Sequence, residues 1–370
     1  MDATDSFISI FDNLTDPRID RQKRHKLIDI LVITLCATIC GADSWLLIEE
    51  FGKARKDWLG EFLELPNGIP SHDTFSRVFS LLDPGEFFSC FTPWVSTVIP
   101  NLSGDIVAID GKSLRTASKV SDTPLHMITA FAVNNGIVLG QMKSIGKKNE
   151  IETLPLLLEK LMLKGCIVTL DAMGCQKKVV KQITSQEADY VISLKGNQGQ
   201  LHSDVKLYMD SIIDNKLSNA KYDYYESTEK HHGRFEVRKY YITDSISWID
   251  NKEKWSGLNS IGCVESTRII NDNTTVERRY YISSILTDAE KFGSAVRQHW
   301  GVENNVHWTM DVIFNEDKTL LHSGNSAENM ASIRRLALNL LKKHSARKTI
   351  KAKKMLAALN VSYLEEIIFS

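Results

Sequence analysis

The stretch HWGVENNVHW, residues 299 to 308, sets one carboxylate, Glu303, among two histidines, two tryptophans and two asparagines in a segment of helical texture. Two further acids close short apolar runs far upstream: Asp110 ends DIVAID, and Asp171 ends the apolar part of CIVTLDA. In open sheets functional groups gather where strands end, so an Asp in that place is held rigidly at the rim. Three acids brought within about 4 Å of one another repel by roughly 4 kcal/mol per pair at an effective dielectric of 20. Such a trio calls for protons or a cation. Oxygen ligands select Mg²⁺ or Mn²⁺, and Mg²⁺ accepts one or two carboxylates plus substrate phosphate. Two such ions about 3.5 to 4 Å apart activate a water or 3'-hydroxyl and stabilise the leaving oxygen of an in-line phosphoryl displacement. Taken singly, each Asp has a plainer account, since Asp-Gly is a turn dipeptide and any strand can end in Asp.

A rival ligand set is local. His299, Glu303 and His307 recur every four residues on one helical face. The two histidines are then two turns, about 12 Å of axial rise, apart, too far for one ion to reach both easily. Trp300 and Trp308 form an adjacent stripe that suits core packing as well as base contact. Asp311 and Asp317 are weaker alternates, with Asp311 better placed to cap or pair.

The elements that must position these residues follow from pattern. Residues 1 to about 100 read as helices, with an apolar period near 3.6 through SWLLIEEFGKARKDWLGEFLEL and a new start at PSHDTFSRVFSLLD, where Ser71 is an N-cap and Pro84 a stop. The pair suits a helical bundle or a DNA-reading helix-turn-helix. Beyond Pro100 the texture becomes strand. LHMITAFAVNNGIVLGQMKSI reads as a hairpin turning at Asn134-Asn135-Gly136. An amphipathic helix over 150 to 164, the strand before Asp171, a helix over about 175 to 187 and the strand DYVISL complete a mixed sheet with helices against it. Between about 200 and 285 lie a helix and four tyrosine-rich strand segments, an insertion extending or packing beside the sheet. Helix returns through the Glu303 segment and ends the chain over about 326 to 344 and 348 to 358.

A length of 370 residues implies two or three units. Hydrophobic content of 43% and charged content of 25% fit an ordinary globular chain. The longest apolar run, LIDILVITLCATIC, is short of the roughly 18 residues of a membrane span and carries Asp29, so a buried helix and no membrane association are expected. The acidic start lacks a basic leader, which points to the cytoplasm. None of the six cysteines forms a CxxC pair, which disfavours structural zinc. The net charge of −1 gives no global sign of nucleic acid, but positive charge collects at RIDRQKRHK and from Arg334 to Lys354. Such clusters either neutralise phosphates or are solvated helix faces.

AIDGKSLR, TLDAMGCQ, YVISLKGNQ, HHGRFEVR and HWGVENNVHWTMDVIFNED together resemble the DDE transposases of bacterial insertion sequences, in the H-repeat-associated branch found beside Rhs elements. The opening FDNLTDPRIDRQKRHKLIDILVITLCATICGADSW resembles that branch's N-terminal associated domain. The resemblance implies an α/β protein: an N-terminal helical domain over 1–100 for DNA or dimer contacts, an RNase H-like mixed-sheet catalytic core over 101–345 with the β-rich insertion at about 200–285, and a basic helical tail over 346–370. Asp110, Asp171 and Glu303 become the catalytic metal ligands, with two Mg²⁺ or Mn²⁺ ions as cofactors. The implied reaction is cleavage at insertion-sequence ends to free a 3'-hydroxyl, then attack of that hydroxyl on target DNA by a homodimer assembled on DNA. A nuclease on the same core without strand transfer, and an immobile DNA-binding remnant, are the alternatives. Lys195, Asn197, His232, Arg234, His299, Arg334 and Arg335 are expected to contact DNA. Related transposases surround the helical Glu with Tyr, Arg and Lys at fixed offsets, where this chain has Val296, His299 and Met310. His299 takes the Arg place as a weaker, neutral hydrogen-bond donor to phosphate.

Overall fold

The computed structural model describes residues 9–369 except 12, 100, 115–124, 146–148, 218, 232–233, 272, 319–320 and 322. The helical first hundred residues contain α1 (Leu27–Cys40), α2 (Trp45–Ala54), α3 (Lys56–Leu59), α4 (His72–Leu81) and α5 (Pro84–Val98). Ser71 flanks α4 without capping it through its side chain. Instead Glu49 reaches across from α2 and accepts the His72 backbone N–H at 2.7 Å. Hydrogen bonds from Lys53 and His72 hold that carboxyl down at about 2, so the positive end of α4 already faces an anion of this chain. Pro84 does not merely stop α4. It occupies the first turn of α5 behind the Asp83 cap, where a missing N–H costs nothing.

Strands β1 (Ile106–Leu114), β2 (Leu125–Ala132) and β3 (Ile137–Ile145), helix α6 (Glu150–Glu159), β4 (Ile167–Leu170), α7 (Lys177–Ser185) and β5 (Asp189–Leu194) follow in the expected order. Asn134, Asn135 and Gly136 do form the β2–β3 turn, and Asp105 secures it by accepting the backbone N–H groups of Asn134 and Asn135. After α8 (Gly199–Ile213), the insertion supplies β6 (Asp223–His231), β7 (Arg234–Thr243), β8 (Ser260–Ile270) and β9 (Asn273–Ser283). All nine strands share one sheet of order β3-β2-β1-β4-β5-β9-β8-β7-β6, so the insertion extends the sheet. Only β1, β4 and β5 run parallel, and β9 attaches antiparallel to β5. This central order, with the β1–β2–β3 meander on one side, is the RNase H-like arrangement.

Parallel strands need cover on both faces. Ile106, Ile167 and Val191 pack with Phe292 and Ala295 of α9 (Ala289–His299), while Val168 and Ile192 belong to the larger core with Leu157 of α6 and Val179 of α7. Helix α9 lies close on the insertion as well: a Cβ on Gly262 of β8 would stand 2.6 Å from the Phe292 ring. Beyond α9 come a π-helical turn (Glu303–His307), α10 (Trp308–Val312), α11 (Ser326–Lys343), α12 (Ile350–Leu359) and α13 (Val361–Ile368). One continuous apolar core joins α1, the sheet, α11 and α13 through residues such as Ile30, Val138, Leu338 and Leu364. Helix α1 is almost wholly buried, and among the described residues no single helix is long and apolar enough to cross a membrane.

Candidate active site

Asp110 is not the last residue of its strand. Strand β1 continues to Leu114 in antiparallel register with β2, but its parallel pairing with β4 stops at Ile109 opposite Leu170. The next position on each chain is Asp110 on one side and Asp171 on the other. The two carboxylates therefore leave adjacent strands, whose backbones lie about 4.8 Å apart, where the parallel ladder opens. The Asp-Gly pair is accordingly no turn. Asp171 caps a short 3₁₀ turn, Ala172–Gly174, by accepting the Met173 N–H at 2.9 Å.

Glu303 reaches the same place from the helical side. Asp110, Asp171 and Glu303 line one cavity of about 540 Å³, together with Thr169, Lys195, His202, Lys206, Arg279, His299 and Trp300. The π turn decides which side chains point there. Its wider winding adds a residue, so His299, Glu303 and His307 do not repeat on one stripe. His299 packs behind Asp171, its Nδ1 3.0 Å from Thr169 Oγ1, and burial lowers its pKa against the pull of Asp171. His307 turns inward, with Nδ1 3.7 Å from Asp110 Oδ2, and burial drives it down to about 3, so both imidazoles are neutral near pH 7. The local two-histidine ligand set is thus dispersed.

Burial raises the Asp110 carboxyl to about 6; the Gly111 backbone hydrogen bond opposes this, and the Asp171, Glu150 and Glu303 carboxylates add to it. Three further carboxylates thus press on Asp110. Among the described residues, no group of three or more His, Cys, Asp and Glu side chains stands close enough to hold a metal ion. The donor set nevertheless suits Mg²⁺ or Mn²⁺, which take one or two carboxylates and complete their shell with water and phosphate oxygen. Asp110 and Asp171 would supply such a pair, and Glu303 borders the same space. Soft thiolate ligands are lacking among the residues lining the cavity.

The other expected DNA contacts divide. Lys195 stands exposed on the cavity rim just past β5. Asn197 is engaged within the chain: its amide donates to Ala172 O at 2.6 Å, and Gln198 donates to Cys175 O at 2.7 Å, so the LKGNQ loop braces the turn that follows Asp171. His232 lies outside the described residues, and Arg234 opens β7 with its side chain outside them too. Arg334 and Arg335 require correction. They are 4% and 1% exposed, and both nitrogens of the Arg335 fork donate to Glu316, so their charge serves the interior and does not reach a phosphate surface. Asp311 pairs with Lys112, which also stands 3.7 Å from Asp317. Reasoning from sequence overlooked His202 and Lys206, although residues four apart on a helix share a face. It also overlooked Arg279, whose guanidinium is held by Glu277 and lies 6.0 Å from the Trp300 ring centroid.

The chain is similar to known proteins along most of its length. Residues 101–340 match the family model described as Transposase DDE domain, and residues 8–95 match the model described as DDE_Tnp_1-associated. "Putative transposase YncI" of Escherichia coli O157:H7 is 38% identical over 99% of this chain and 95% of its own length. "H repeat-associated putative transposase YhhI" of Escherichia coli K12 is 39% identical over 96% of this chain and 95% of its own. A cryo-EM structure of the piggyBac transposase synaptic complex with hairpin DNA aligns with 99% of this chain and 81% of that one, at 11% identity and a TM-score of 0.43. By the family match over residues 101–340 and the near-full-length likeness to these relatives, the chain belongs to the DDE transposases, in their H-repeat-associated branch.

Proposed function

We propose that the protein cleaves DNA at the ends of its insertion sequence and joins the freed 3'-ends to target DNA. The observation that carries this reading is the opening of the β1–β4 ladder at Asp110 and Asp171 onto a cavity that Glu303 also lines. Asp110 and Asp171 would hold the divalent cation, with Glu303 completing its surroundings. When bound, Mg²⁺ or Mn²⁺ supplies charge stabilisation at the phosphoryl oxygens and makes a water or hydroxyl nucleophilic.

The chain's own groups do the rest. Lys195 and Lys206 offer cationic ends at the cavity, suited to the phosphates flanking the scissile bond. Neutral His299, tied to Thr169, keeps its place beside Asp171 without adding a charge that would compete with a cation. The 3₁₀ turn and the Asn197 brace fix the Asp171 carboxylate, so the site stands on strand ends and tied turns more than on free loops.

The test is cleavage of DNA carrying the element's ends in Mg²⁺. Asp110→Asn, Asp171→Asn and Glu303→Gln are each expected to lower cleavage by about a hundredfold or more while end binding stays near that of the wild type. Undiminished cleavage by any one of them would remove that residue from the site. Supplying pre-cut ends separates transposition from nuclease action, because only a transposase links the 3'-end to a new strand.

A further inference from the structure

Asp110 and Asp171 border two cavities. Besides the large one they line a small one of about 20 Å³, together with Gly111, Leu170, Met173 and Glu150. A space of that order admits one water-sized particle. Each cavity thus sees the shared pair of aspartates together with glutamate: Glu303 and the Arg279-bound Glu277 line the large cavity, and Glu150 the small one.

Glu150 lies in the first turn of α6, where an acid favours the helix dipole. That accounts for its exposed neighbour Glu152, but not for the inward set of Glu150, whose side chain is only 13% exposed. Two features hold it there. His126 of β2, 2% exposed, sets Nε2 against Glu150 Oε1 in contact, and its Nδ1 lies 2.9 Å from Ser113 Oγ. Gly111 leaves the space in which the two meet, since a Cβ there would stand 2.7 Å from Glu150 Oε1 and would also strike His126 Nε2. The glycine after Asp110 therefore clears a cradle beside the strand end.

We propose that Glu150 is a fourth carboxylate of the site, holding a divalent cation against Asp110 and Asp171 from the small cavity, with His126 as the residue that positions it. This deepens the function proposed above and rests on it.

The experiment titrates the full chain, without DNA, with Mn²⁺, reading free Mn²⁺ by electron paramagnetic resonance and folding by thermal melting. Glu150→Gln is expected to weaken Mn²⁺ binding about tenfold or more, the loss usual when the surroundings of a metal are disturbed, while Glu152→Gln binds as the wild type does. If Glu150→Gln does not fold, Glu150→Asp keeps the charge and draws the oxygens back, and it too is expected to bind more weakly. Wild-type binding by the folded Glu150 variant, alongside weakened binding by Asp110→Asn, overturns the role of Glu150 and leaves the proposed function standing. Wild-type binding by both variants overturns the two together.

Discussion

Arg335 and Glu316 form the most deeply buried ion pair near the site, their side chains 1% and 0% exposed. Burial alone would raise the Glu316 carboxyl; Arg335, Arg334 and Lys112 outweigh it and hold the carboxyl at about 2, below its ordinary 4.5. Breaking such a pair leaves one uncompensated charge in the interior, so Arg335→Met is expected to cost about 3 to 5 kcal/mol in urea unfolding at pH 7. The sign of the pH dependence follows. The depressed carboxyl contributes stability above about 4.5, and that contribution fades as pH falls toward about 2. The gap between wild type and Arg335→Met should narrow across that window, and a gap independent of pH would refute the assignment. At the rim, Lys195→Ala is expected to reduce the salt slope of DNA binding by about 0.9, one released counterion. Asn197→Ala should leave the slope alone and lower stability by about 0.5 to 1.5 kcal/mol, the worth of one hydrogen bond. Equal slopes for the two variants would return Asn197 to the DNA interface. Asp110, Asp171 and Glu303 could be proposed from the sequence because residue type and the close of an apolar run are visible without coordinates. The interior place of Arg334 and Arg335 could not, because a run of charge records neither its burial nor a partner such as Glu316 on a separate turn.

At the scale of elements, the π turn aims the site. Were Glu303–His307 α-helical, removal of one residue relative to the present winding would rotate everything downstream by about 100°. It would draw Asp311 away from Lys112 and His307 away from Asp110. Asn304 and Asn305 are exposed within that turn, and Asn305 merely donates to Gly301 O at 3.0 Å. Deleting Asn304 is therefore expected to abolish cleavage and lower the melting temperature, whereas Asn304→Ala should do neither. Normal cleavage by the deletion variant would mean that the π turn has no part in directing Glu303. No residue type announces such a turn, and for that reason a four-residue period in the sequence placed both histidines on one stripe with Glu303. The end of the parallel ladder was hidden for a similar cause: GKSL lacks an apolar pattern, yet β2 keeps it in strand by pairing through Leu114 and Leu125. The hairpin at Asn134-Asn135-Gly136 and the four strands of the insertion could be read because turn chemistry and β-branched or aromatic runs are local properties.

The whole molecule binds its two ends together. Trp58 donates to Glu365 at 2.7 Å, Arg55 donates to Ala358 O at 2.9 Å, and the Phe62 ring meets Phe369 edge-on at 5.5 Å. Much of the positive charge in the last helices is used internally. Lys353 donates to Leu341 O and His344 O, and Lys354 donates to Ile313 O while lying 3.8 Å from the Phe314 ring centroid, next to the segment that carries Glu303. Burial lowers Lys354 to about 8, as expected of an ammonium drawn from water. Composition placed a basic cluster from Arg334 to Lys354, since a shift in residue usage shows where texture changes and not what packs on what. Leu364, Ile367 and Ile368 are buried, each contributing about 1.5 to 3 kcal/mol, and together they approach the net stability of a whole domain, about 5 to 15 kcal/mol. Removing residues 346–370 should therefore abolish the cooperative melt and cause aggregation through the uncovered Trp58 and Phe62. A soluble truncated chain with the wild-type melting temperature and weaker DNA binding alone would instead make those helices a detachable arm for DNA. The internal use of Lys353 and Lys354 argues for the first outcome, because their ammonium groups donate to main-chain carbonyls near helix ends.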